Sequence, residues 1–411
     1  MRALDSLHPP KGAIMKHARL LTSLFLVLCL AAATALAQDG AAAPAPGEPV
    51  QLFWKTATLA PAGIGWAKHM TDVIFPVMEE TTKGNLKVKV YWGGVMGDEE
   101  DYIKKIRIGQ LQGAGLSAQG TVQACPEMAV LELPFLFRNY QEVDYVRVKM
   151  EGTFDRLFAK QDFFLVGWID QDFDQIYSAN RPIATVEDFA KCRFLTWYGP
   201  MEEELLSVLG ADMVPVNVPE MSTTIRQKVV DAAIGPAVFV VGAQLYSTLR
   251  YVNPIKIRYS PATIIFTLET WNSQPKEYIE EFFKRRLELG WRYSNLVRAD
   301  NERYVDALVK YGLKRVDMSP EELDRLKVRT REVWDRTTGK LFAKETLDEV
   351  LGHLADYQAG KRLVLADLLK MSNATPESLD PELKERLLTT IRESIEAFGQ
   401  EEGAVVDLKG E

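Results

Sequence analysis

The sequence predicts an α/β protein with two lobes, a hinge between them and long connecting helices. Strand and helix patterns alternate from residue 50 to about 108, and a second such run extends from 163 to about 251. This alternation is typical of a sheet with helices on both faces. A strand-like segment at 262–268 offers a return to the first lobe, as a hinged clamp requires. With 411 residues, the chain also exceeds the roughly 250 to 300 residues at which single cores stop growing.

The first run has recognisable strand and helix signals in order. The apolar segment 50–54 predicts a strand, and 56–61 is expected to turn. Apolar residues on one helical face predict a helix from about Gly63. Alternating apolar residues at 86–92 predict the next strand, and the acidic start at 98–100 begins a second helix.

The second run repeats these signals. We predict strands at 164–168, 193–197 and 213–216, a helix at 201–209 and a buried apolar stretch at 229–241. From 275 to about 357 the periodicity is that of amphipathic helices. Two further helix candidates follow residue 360.

The N-terminal segment has the features of an export signal. A basic start precedes an apolar stretch at 20–35, and Ala35 and Ala37 satisfy the small-x-small rule for cleavage. A membrane anchor is the alternative, but the stretch is shorter than the roughly 20 apolar residues that span a bilayer. A lipid anchor at Cys29 lacks the usual small residue before it. We expect a signal peptide at 1–37 and an Ala/Pro/Gly-rich tether at 38–49.

Charge and cysteine usage exclude several classes of protein. The net charge of −8 argues against nucleic acid or anionic lipid as a partner. Beyond the leader only Cys125 and Cys192 remain, far apart in sequence. They form neither a disulfide framework nor a CxxC pair, so we expect both to be free and buried.

Signatures of catalysis or cofactor binding are weak. His69 and His353 are isolated histidines in helical segments, and no common catalytic motif is present. Gly113, Gly115 and Ala118 fit a variant dinucleotide fingerprint, but they are expected to follow a helix instead of leading from a strand into one. We therefore predict no enzyme and no cofactor.

Asp170, Asp172 and Asp174 form a short acidic ladder. Its carboxylates are groups that can bind calcium or a cationic ligand. The segment nevertheless lacks the glycine and the distal glutamate of an EF-hand loop. A solvated loop is the favoured interpretation, and no metal site is predicted.

Short segments, taken in order, carry a family resemblance. They are TTKG at 81–84, GDEE at 97–100, LPFLF at 133–137, RPI at 181–183, EDF at 187–189, LGA at 209–211 and YSP at 259–261. No single segment is specific, but the ordered set resembles the DctP family of TRAP-transporter substrate-binding proteins over residues 50 to 357.

The resemblance implies a periplasmic-binding-protein-like clamp that closes on a small molecule and delivers it to TRAP membrane subunits. The implied location is the periplasm, and clefts between lobes are usual small-molecule sites. The expected divisions are lobe I at 50–167 and 258–330, lobe II at 168–257, a helical closure at 331–359 and a helical C-terminal extension at 360–411.

The departures from the family pattern concern its polar anchors. The family's arginine on the strand after RPI falls at Leu195, its second arginine at Asp174, and its frequent asparagine at Gly235. Arg193 lies two residues before Leu195, about 6 to 7 Å away in a regular strand. Leucine cannot neutralise a carboxylate, so an ordinary organic acid is expected to bind poorly.

The neighbours of these positions are apolar or aromatic, which predicts a cleft for an apolar or amphipathic molecule, such as a lipid-like one. One alternative is that these residues only pack the core, and another is that an organic acid binds through another arginine. A periplasmic enzyme on the same scaffold and an interaction subunit that no longer binds a small molecule are two further alternatives. The predicted ligand-binding residues are Thr58, Ser117, Gln119, Phe173, Asp174, Leu195, Trp197, Tyr198, Gly235 and Phe239.

This combination resembles the divergent branch of TRAP receptors associated with a tetratricopeptide-repeat partner. The resemblance implies such a partner in the periplasm, and the extension at 360–411 is a candidate docking element. Its last helix candidate has an apolar stripe formed by Leu383, Leu387, Leu388, Ile391 and Ile395.

Overall fold

The computed structural model describes residues 51–197, 199–370, 380–398 and 405–407, so the predicted signal peptide and tether lie outside the described residues. The strands are β1 (Leu52–Thr58), β2 (Leu86–Tyr91), β3 (Gly113–Leu116), β4 (Phe163–Ser178), β5 (Arg193–Thr196), β6 (Asp212–Pro215), β7 (Ala232–Gly235), β8 (Tyr251–Thr267) and β9 (Lys314–Arg315). The α-helices are α1 (Gly65–His69), α2 (Phe75–Thr81), α3 (Glu99–Arg107), α4 (Ala118–Ala124), α5 (Tyr140–Ala159), α6 (Val186–Phe189), α7 (Pro200–Val208), α8 (Met221–Arg226), α9 (Ala237–Gly242), α10 (Leu268–Asn272), α11 (Lys276–Lys310), α12 (Pro320–Thr337), α13 (Lys344–Gln358), α14 (Leu365–Lys370) and α15 (Pro381–Phe398).

Within the described residues, nine strands form one mixed sheet in the order β2-β1-β3-β8-β4-β7-β5-β6, with β9 paired to β8. The long strands β4 and β8 are antiparallel and lie in its middle. β3 pairs with the C-terminal part of β8, whereas β7 pairs with the C-terminal part of β4. Two groups of strands therefore share one β4/β8 ribbon, which confirms the predicted two-lobed α/β fold.

Sheet pairing overrides the turn signal at the end of β1. The strand continues to Thr58, because Thr56 to Thr58 pair with Gly113 to Gly115 of β3. The predicted turn at 56–61 is therefore wrong in its first half. Helix α3 begins close to the predicted point, and the Asp98 side chain accepts a hydrogen bond of 2.7 Å from the backbone N–H of Glu99.

The β4/β8 ribbon is irregular where it passes between the lobes. Its register shifts at Leu165/Gly167, at Asp170/Asp172 and at Asp174/Ile176. Asp172 has a φ of 116°, a backbone region that is costly for a residue with a side chain. Such bulges bend a strand and increase its twist, so the ribbon bends between the two lobes.

The acidic ladder on β4 is buried, so the predicted solvated loop is wrong. Asp170 accepts hydrogen bonds from Arg147 and from Arg298 Nε, the latter at 2.7 Å. Burial works against ionisation, but the two guanidinium groups hold the pKa of Asp170 below its ordinary value. Asp172 accepts a bond of 2.8 Å from the Tyr140 hydroxyl, and burial and the charge of Asp170 raise its pKa to about 8. The ladder thus joins β4 to α5 and α11.

The 35-residue helix α11 is the long connecting element. At 1.5 Å per residue it is about 52 Å long, enough to run along both lobes. Arg298 on this helix pairs with Asp144 of α5 at 2.7 Å. Asn301 Oδ1 accepts a bond of 2.7 Å from the backbone N–H of Ala237, the first residue of α9.

The C-terminal helix α15 packs on its own chain. Leu387 and Ile391 are buried in a cluster with Tyr145 of α5 and with Leu287 and Trp291 of α11. Leu383 joins a smaller cluster with Leu365 and Leu369 of α14, and Leu388 is half-buried. The side chain of Ile395 lies outside the described residues. The described part of the apolar stripe is therefore largely covered.

None of the helices in the described part of the chain is both long and apolar enough to span a bilayer. Cys125 and Cys192 are free and buried, as predicted. Burial raises the pKa of the Cys125 thiol to about 12 and that of the Cys192 thiol to about 11.

Candidate functional site

A cavity lies where the two lobes face each other across the β4/β8 ribbon. It contains about 820 Å³ of empty space, a figure that includes its opening to solvent, and clefts between lobes are usual small-molecule sites. The first lobe contributes the end of β1, helix α1 and the end of β3; the second contributes the end of β5 and helix α9. Helix α11 adds Tyr293 and Tyr304.

Aromatic and aliphatic side chains form most of the cavity wall. The rings of Trp197 and Phe239 stack with their centroids 4.4 Å apart. The indole N–H of Trp197 donates to the carbonyl of Ile234 at 3.3 Å, so its polar atom is satisfied within the protein. Val238 and Ile169 add aliphatic surface. This part of the wall offers contact area and no charge.

Two hydrogen-bond donors on the wall have no protein acceptor among the described residues. Gln171 is 3% exposed, and its Oε1 accepts from the backbone N–H of Ala118 at 2.8 Å. That bond fixes the amide orientation and leaves Nε2 to donate elsewhere. The buried Nε1 of Trp66 has no hydrogen-bond partner within the same residues. Both groups suit an acceptor oxygen on a ligand.

Glu99 is the acidic residue on the wall. Its carboxylate accepts from the backbone N–H and the hydroxyl of Ser117, each at 2.6 Å, and from the backbone N–H of Gly120 at 2.7 Å. Burial raises its pKa to about 7, although these three bonds act in the opposite direction. The donors at the start of α4 are therefore already taken by a carboxylate of the protein.

Among the described residues that line the cavity, none is a lysine, arginine or histidine. The nearest equivalent of a family anchor is Arg258 of β8, which is 1% exposed. Its Nε donates to Asp174 at 2.7 Å and its Nη1 donates to Glu132 at 3.2 Å. Burial raises the pKa of Glu132 to about 8. Arg258 is thus held by acidic groups of the protein.

The predicted site residues divide into two groups. Thr58, Ser117, Trp197 and Phe239 line the cavity. Outside the lining lie Gln119, Phe173, Asp174, Leu195 and Gly235, and Tyr198 is not among the described residues.

The predicted site residues that do not line the cavity have other positions in the fold. Leu195 is fully buried in one hydrophobic cluster with Trp197 and Phe239. Asp174 is paired with Arg258, and Phe173 packs in the central core. Gly235 ends β7, two residues before α9 begins, and Gln119 is half-buried in α4. Phe173, Asp174 and Leu195 are therefore buried within the protein and do not line the cavity.

Arg193, the alternative anchor, lies at the exposed start of β5, where its Nη1 donates to the carbonyl of Val229 at 3.0 Å. It is not part of the cavity wall.

Sequence reasoning missed Glu99, Gln171, Tyr293 and Tyr304. A signal existed for the two tyrosines, because eleven residues are about three helical turns and place both on one face of α11. No sequence signal marked Glu99 and Gln171, since their position in the cavity wall depends on the packing of α4 against α3 and β4.

The glycine pattern at Gly113, Gly115 and Ala118 also needs correction. The first two lie on β3 and Ala118 begins α4, so the pattern does lead from a strand into a helix. The Glu99 carboxylate nevertheless occupies the N–H groups that a phosphate would use in a dinucleotide site. No cofactor follows from this pattern.

Two lobes that share a central ribbon and face each other across a cavity are the architecture of a receptor that holds a small molecule between its lobes. The sequence matches the DctP family model, described as bacterial extracellular solute-binding protein, family 7, over residues 66–345. The chain belongs to this family, whose members are periplasmic solute-binding receptors of TRAP-type transporters.

Relatives and solved structures agree with this assignment. The 2,3-diketo-L-gulonate-binding periplasmic protein YiaO of Escherichia coli is 22% identical over 63% of this chain and 77% of its own length. The sugar acid binding protein DctPAm from Advenella mimigardefordensis, in complex with galactonate, has a TM-score of 0.70 at 18% identity, over 75% of this chain and 99% of that one. A Haemophilus influenzae TRAP periplasmic solute binding protein with bound L-gulonate has a TM-score of 0.68 at 18% identity, over 74% and 99%.

Proposed function

We propose that this receptor binds an apolar or amphipathic small molecule with a neutral polar head in the interlobe cavity. The observation that carries the proposal is the wall itself, which is apolar over most of its surface and has no basic side chain among its described residues. The stacked rings of Trp197 and Phe239 supply a large contact area for such a ligand.

Charge supports a neutral ligand. A carboxylate that leaves water loses several kcal/mol of hydration unless a cation or several donors replace it. Arg258 does not line the cavity and already pairs with Asp174 and Glu132. Glu99 adds an acidic group to the wall, which repels an anionic ligand further when it is ionised.

The two donors without acceptors suggest where the head lies. Gln171 Nε2 and Trp66 Nε1 both require an oxygen acceptor. A hydroxyl, carbonyl or ester oxygen satisfies them without bringing in a charge. An apolar body in contact with Trp197 and Phe239, with one such oxygen near Gln171, therefore fits the cavity.

The second candidate is an organic acid, bound as in an ordinary TRAP receptor through a non-standard arginine. The names of the similar proteins favour it, since they include binders of galactonate, L-gulonate and 2,3-diketo-L-gulonate. In this chain the arginine nearest the family anchors is Arg258, and the acid would have to compete with Asp174 and Glu132 for it.

Isothermal calorimetry with 1-decanol and D-galactonate separates the two candidates. We expect the protein to bind the alcohol and not the sugar acid. Gln171→Glu keeps the acceptor for the N–H of Ala118 but replaces the free donor by an anionic oxygen, so it should weaken alcohol binding about tenfold or more. The matched control is Gln119→Glu, because Gln119 lies on α4 outside the cavity lining. Binding of galactonate alone would reject the proposal.

A periplasmic tetratricopeptide-repeat partner and membership of the associated branch stay predictions. The described apolar residues of α15 contact α5, α11 and α14, so we propose that any docking uses its polar outer face. Pull-down with a tetratricopeptide-repeat protein encoded beside this receptor tests the idea, and loss of binding on removal of 360–411 is the expected result. Retention of binding would exclude the extension as the docking element.

A further inference from the structure

The polar groups on the wall of the interlobe cavity are unevenly satisfied. Two N–H donors, Gln171 Nε2 and Trp66 Nε1, have no acceptor among the described residues. Both belong to the cavity lining, and both lie in buried surroundings. A donor that stays buried without an acceptor is destabilising. A ligand that brings acceptor oxygens to this wall therefore satisfies a need that the protein leaves open.

Three side-chain acceptors on the same wall already have protein donors. Gln171 Oε1 accepts from the backbone N–H of Ala118 at 2.8 Å, and Thr58 Oγ1 accepts from that of Ala60 at 3.3 Å. The Glu99 carboxylate accepts three hydrogen bonds at the start of α4. None of these three groups needs a proton from the ligand.

The elements that present the two donors are held in place by other contacts. The bond from Ala118 fixes the amide of Gln171 on β4. Helix α1, which includes Trp66, is joined to α11 at two points. The Tyr293 hydroxyl donates to the carbonyl of Trp66 at 3.3 Å, and His69 Nε2 lies 2.9 Å from Asp300 Oδ2. The donors are therefore preorganised, which lowers the entropic cost of binding.

This pattern distinguishes two kinds of neutral head that are equal in charge. A carbonyl oxygen accepts hydrogen bonds and brings no proton of its own. A hydroxyl group also accepts, but its O–H requires an acceptor, and an O–H buried without one is costly. Sites with preformed polar groups discriminate strongly between such analogues.

We propose that the ligand head is a carbonyl group, as in a ketone, an ester or a tertiary amide, which accepts hydrogen bonds from Gln171 and Trp66. This inference rests on the proposed function, since it concerns the neutral head of the same ligand. It narrows the ligand class to carbonyl compounds without a buried O–H group, and it assigns the selection between carbonyl and hydroxyl to these two donors.

The pair 2-decanone and 2-decanol tests the inference, because the two compounds share one skeleton and differ only at the oxygen-bearing carbon. Isothermal calorimetry of the purified protein, freed of copurified ligand, gives both affinities. We expect the ketone to bind about tenfold more tightly than the alcohol, or ~1.4 kcal/mol. Equal affinities, or a preference for the alcohol, contradict the inference and leave the proposed function standing. Binding of D-galactonate alone, or of none of the three compounds, contradicts the proposed function and the inference with it.

Infrared spectroscopy of 2-decanone, isotope-labelled at the carbonyl carbon, reports on the hydrogen bonds to its oxygen. Such bonds lower the C=O stretching frequency, so the bound ketone should absorb at a lower frequency than it does in hexane. Trp66→Phe removes one donor but keeps an aromatic ring. It should move the band back toward its position in hexane and weaken ketone binding about threefold to tenfold.

The matched control is Trp92→Phe, which makes the same change at a tryptophan outside the cavity lining and should leave the band and the affinity unchanged. A band at the hexane frequency in the wild-type complex, or one that Trp66→Phe does not move, overturns the proposal. If Trp66→Phe does not fold, the wild-type spectrum and the ratio of ketone to alcohol affinity decide.

Discussion

At the scale of single residues, Glu99 links the stability of the first lobe to the chemistry of the cavity. It is fully buried, lines the interlobe cavity and accepts three hydrogen bonds from Ser117 and Gly120. The Glu99 carboxylate thus accepts the hydrogen bonds that the backbone N–H groups of Ser117 and Gly120 donate at the start of α4. An incoming ligand therefore meets an acidic group where an anion would otherwise find donors.

We expect Glu99→Gln to change the pH dependence of stability. The pKa of Glu99 is raised by burial from 4.5 to about 7, so the folded protein binds this proton more tightly than the unfolded chain does. Wild-type stability should therefore fall as pH rises from about 4.5 to 7, and the loss from this group should reach about 3 kcal/mol. The neutral glutamine removes this dependence.

Urea unfolding of the wild-type protein and of Glu99→Gln at pH 5 and pH 8 measures the effect. Subtracting the variant's free energy of unfolding from the wild-type value cancels the contributions of other buried carboxyls such as Asp172. A difference between wild type and variant that is the same at both pH values would show that Glu99 ionises normally in the folded protein.

Residue pairings explain why part of the site escaped sequence analysis. The family resemblance marks Leu195 and Asp174 as replaced anchors, and it gives no sign that Asp174 pairs with Arg258, a residue 84 positions away. Leu195 is fully buried in the same hydrophobic cluster as Trp197 and does not line the cavity. Alternation along a strand gives the side on which a residue lies, but not whether another side chain covers it.

At the scale of elements, two residues of the apolar stripe of α15 pack against the helices α5 and α11. Ile391 is fully buried and Leu387 is 4% exposed, in a cluster with residues of α5 and α11. The amphipathic pattern and the proline-acidic start predicted this helix well. The surface that it would cover could not be predicted, because Tyr145 and Trp291 come from distant segments.

We expect Ile391→Ala to destabilise the protein by about 2 to 5 kcal/mol, as usual for an aliphatic side chain removed from a packed cluster. Thr389→Ala on the exposed face of the same helix should change stability by less than about 0.5 kcal/mol. Urea unfolding gives both values. Alkanol affinity should be unchanged in each variant, since neither residue lines the cavity; equal stability losses would place Ile391 outside the core.

At the scale of the whole molecule, several contacts join the lobes around the cavity. The backbone N–H of Val218 donates to Asp98 Oδ2 at 3.3 Å, and helix α1 approaches α9 closely. A Cβ added at Gly65 would lie 2.7 Å from a methyl group of Val238. The irregular β4/β8 ribbon is the element that has to bend when these contacts separate.

Gly65→Ala should therefore hinder closure. Its φ of 47° also disfavours a side chain, so the matched control is Gly63→Ala, where φ is 79° but no atom lies within 4 Å of the added Cβ. We expect Gly65→Ala to bind 1-decanol at least tenfold more weakly than Gly63→Ala. Small-angle scattering with ligand should give a larger radius of gyration for Gly65→Ala, and equal radii and affinities would exclude a steric block at this contact.

The fold class and the order of most strands and helices followed from hydrophobic periodicity and the family segments, because those signals are local. The exact set of residues that line the cavity could not be predicted, because it depends on how α3, α4, β4 and α11 pack together. Trp197 was predictable as a large ring on a strand that leads into Gly199, and Phe239 as an aromatic neighbour of Gly235. Gln171 and Glu99 become functional candidates only through partners far away in sequence.

Mass spectrometry of the ligand carried through gentle purification from the periplasm tests the central claim most directly. The protein is denatured after native purification, and the released small molecule is compared with that from Gln171→Glu prepared in parallel. We predict a neutral apolar or amphipathic molecule in the wild-type sample and much less of it in the variant. Recovery of a sugar acid or another small carboxylate in stoichiometric amount would contradict the apolar-ligand account.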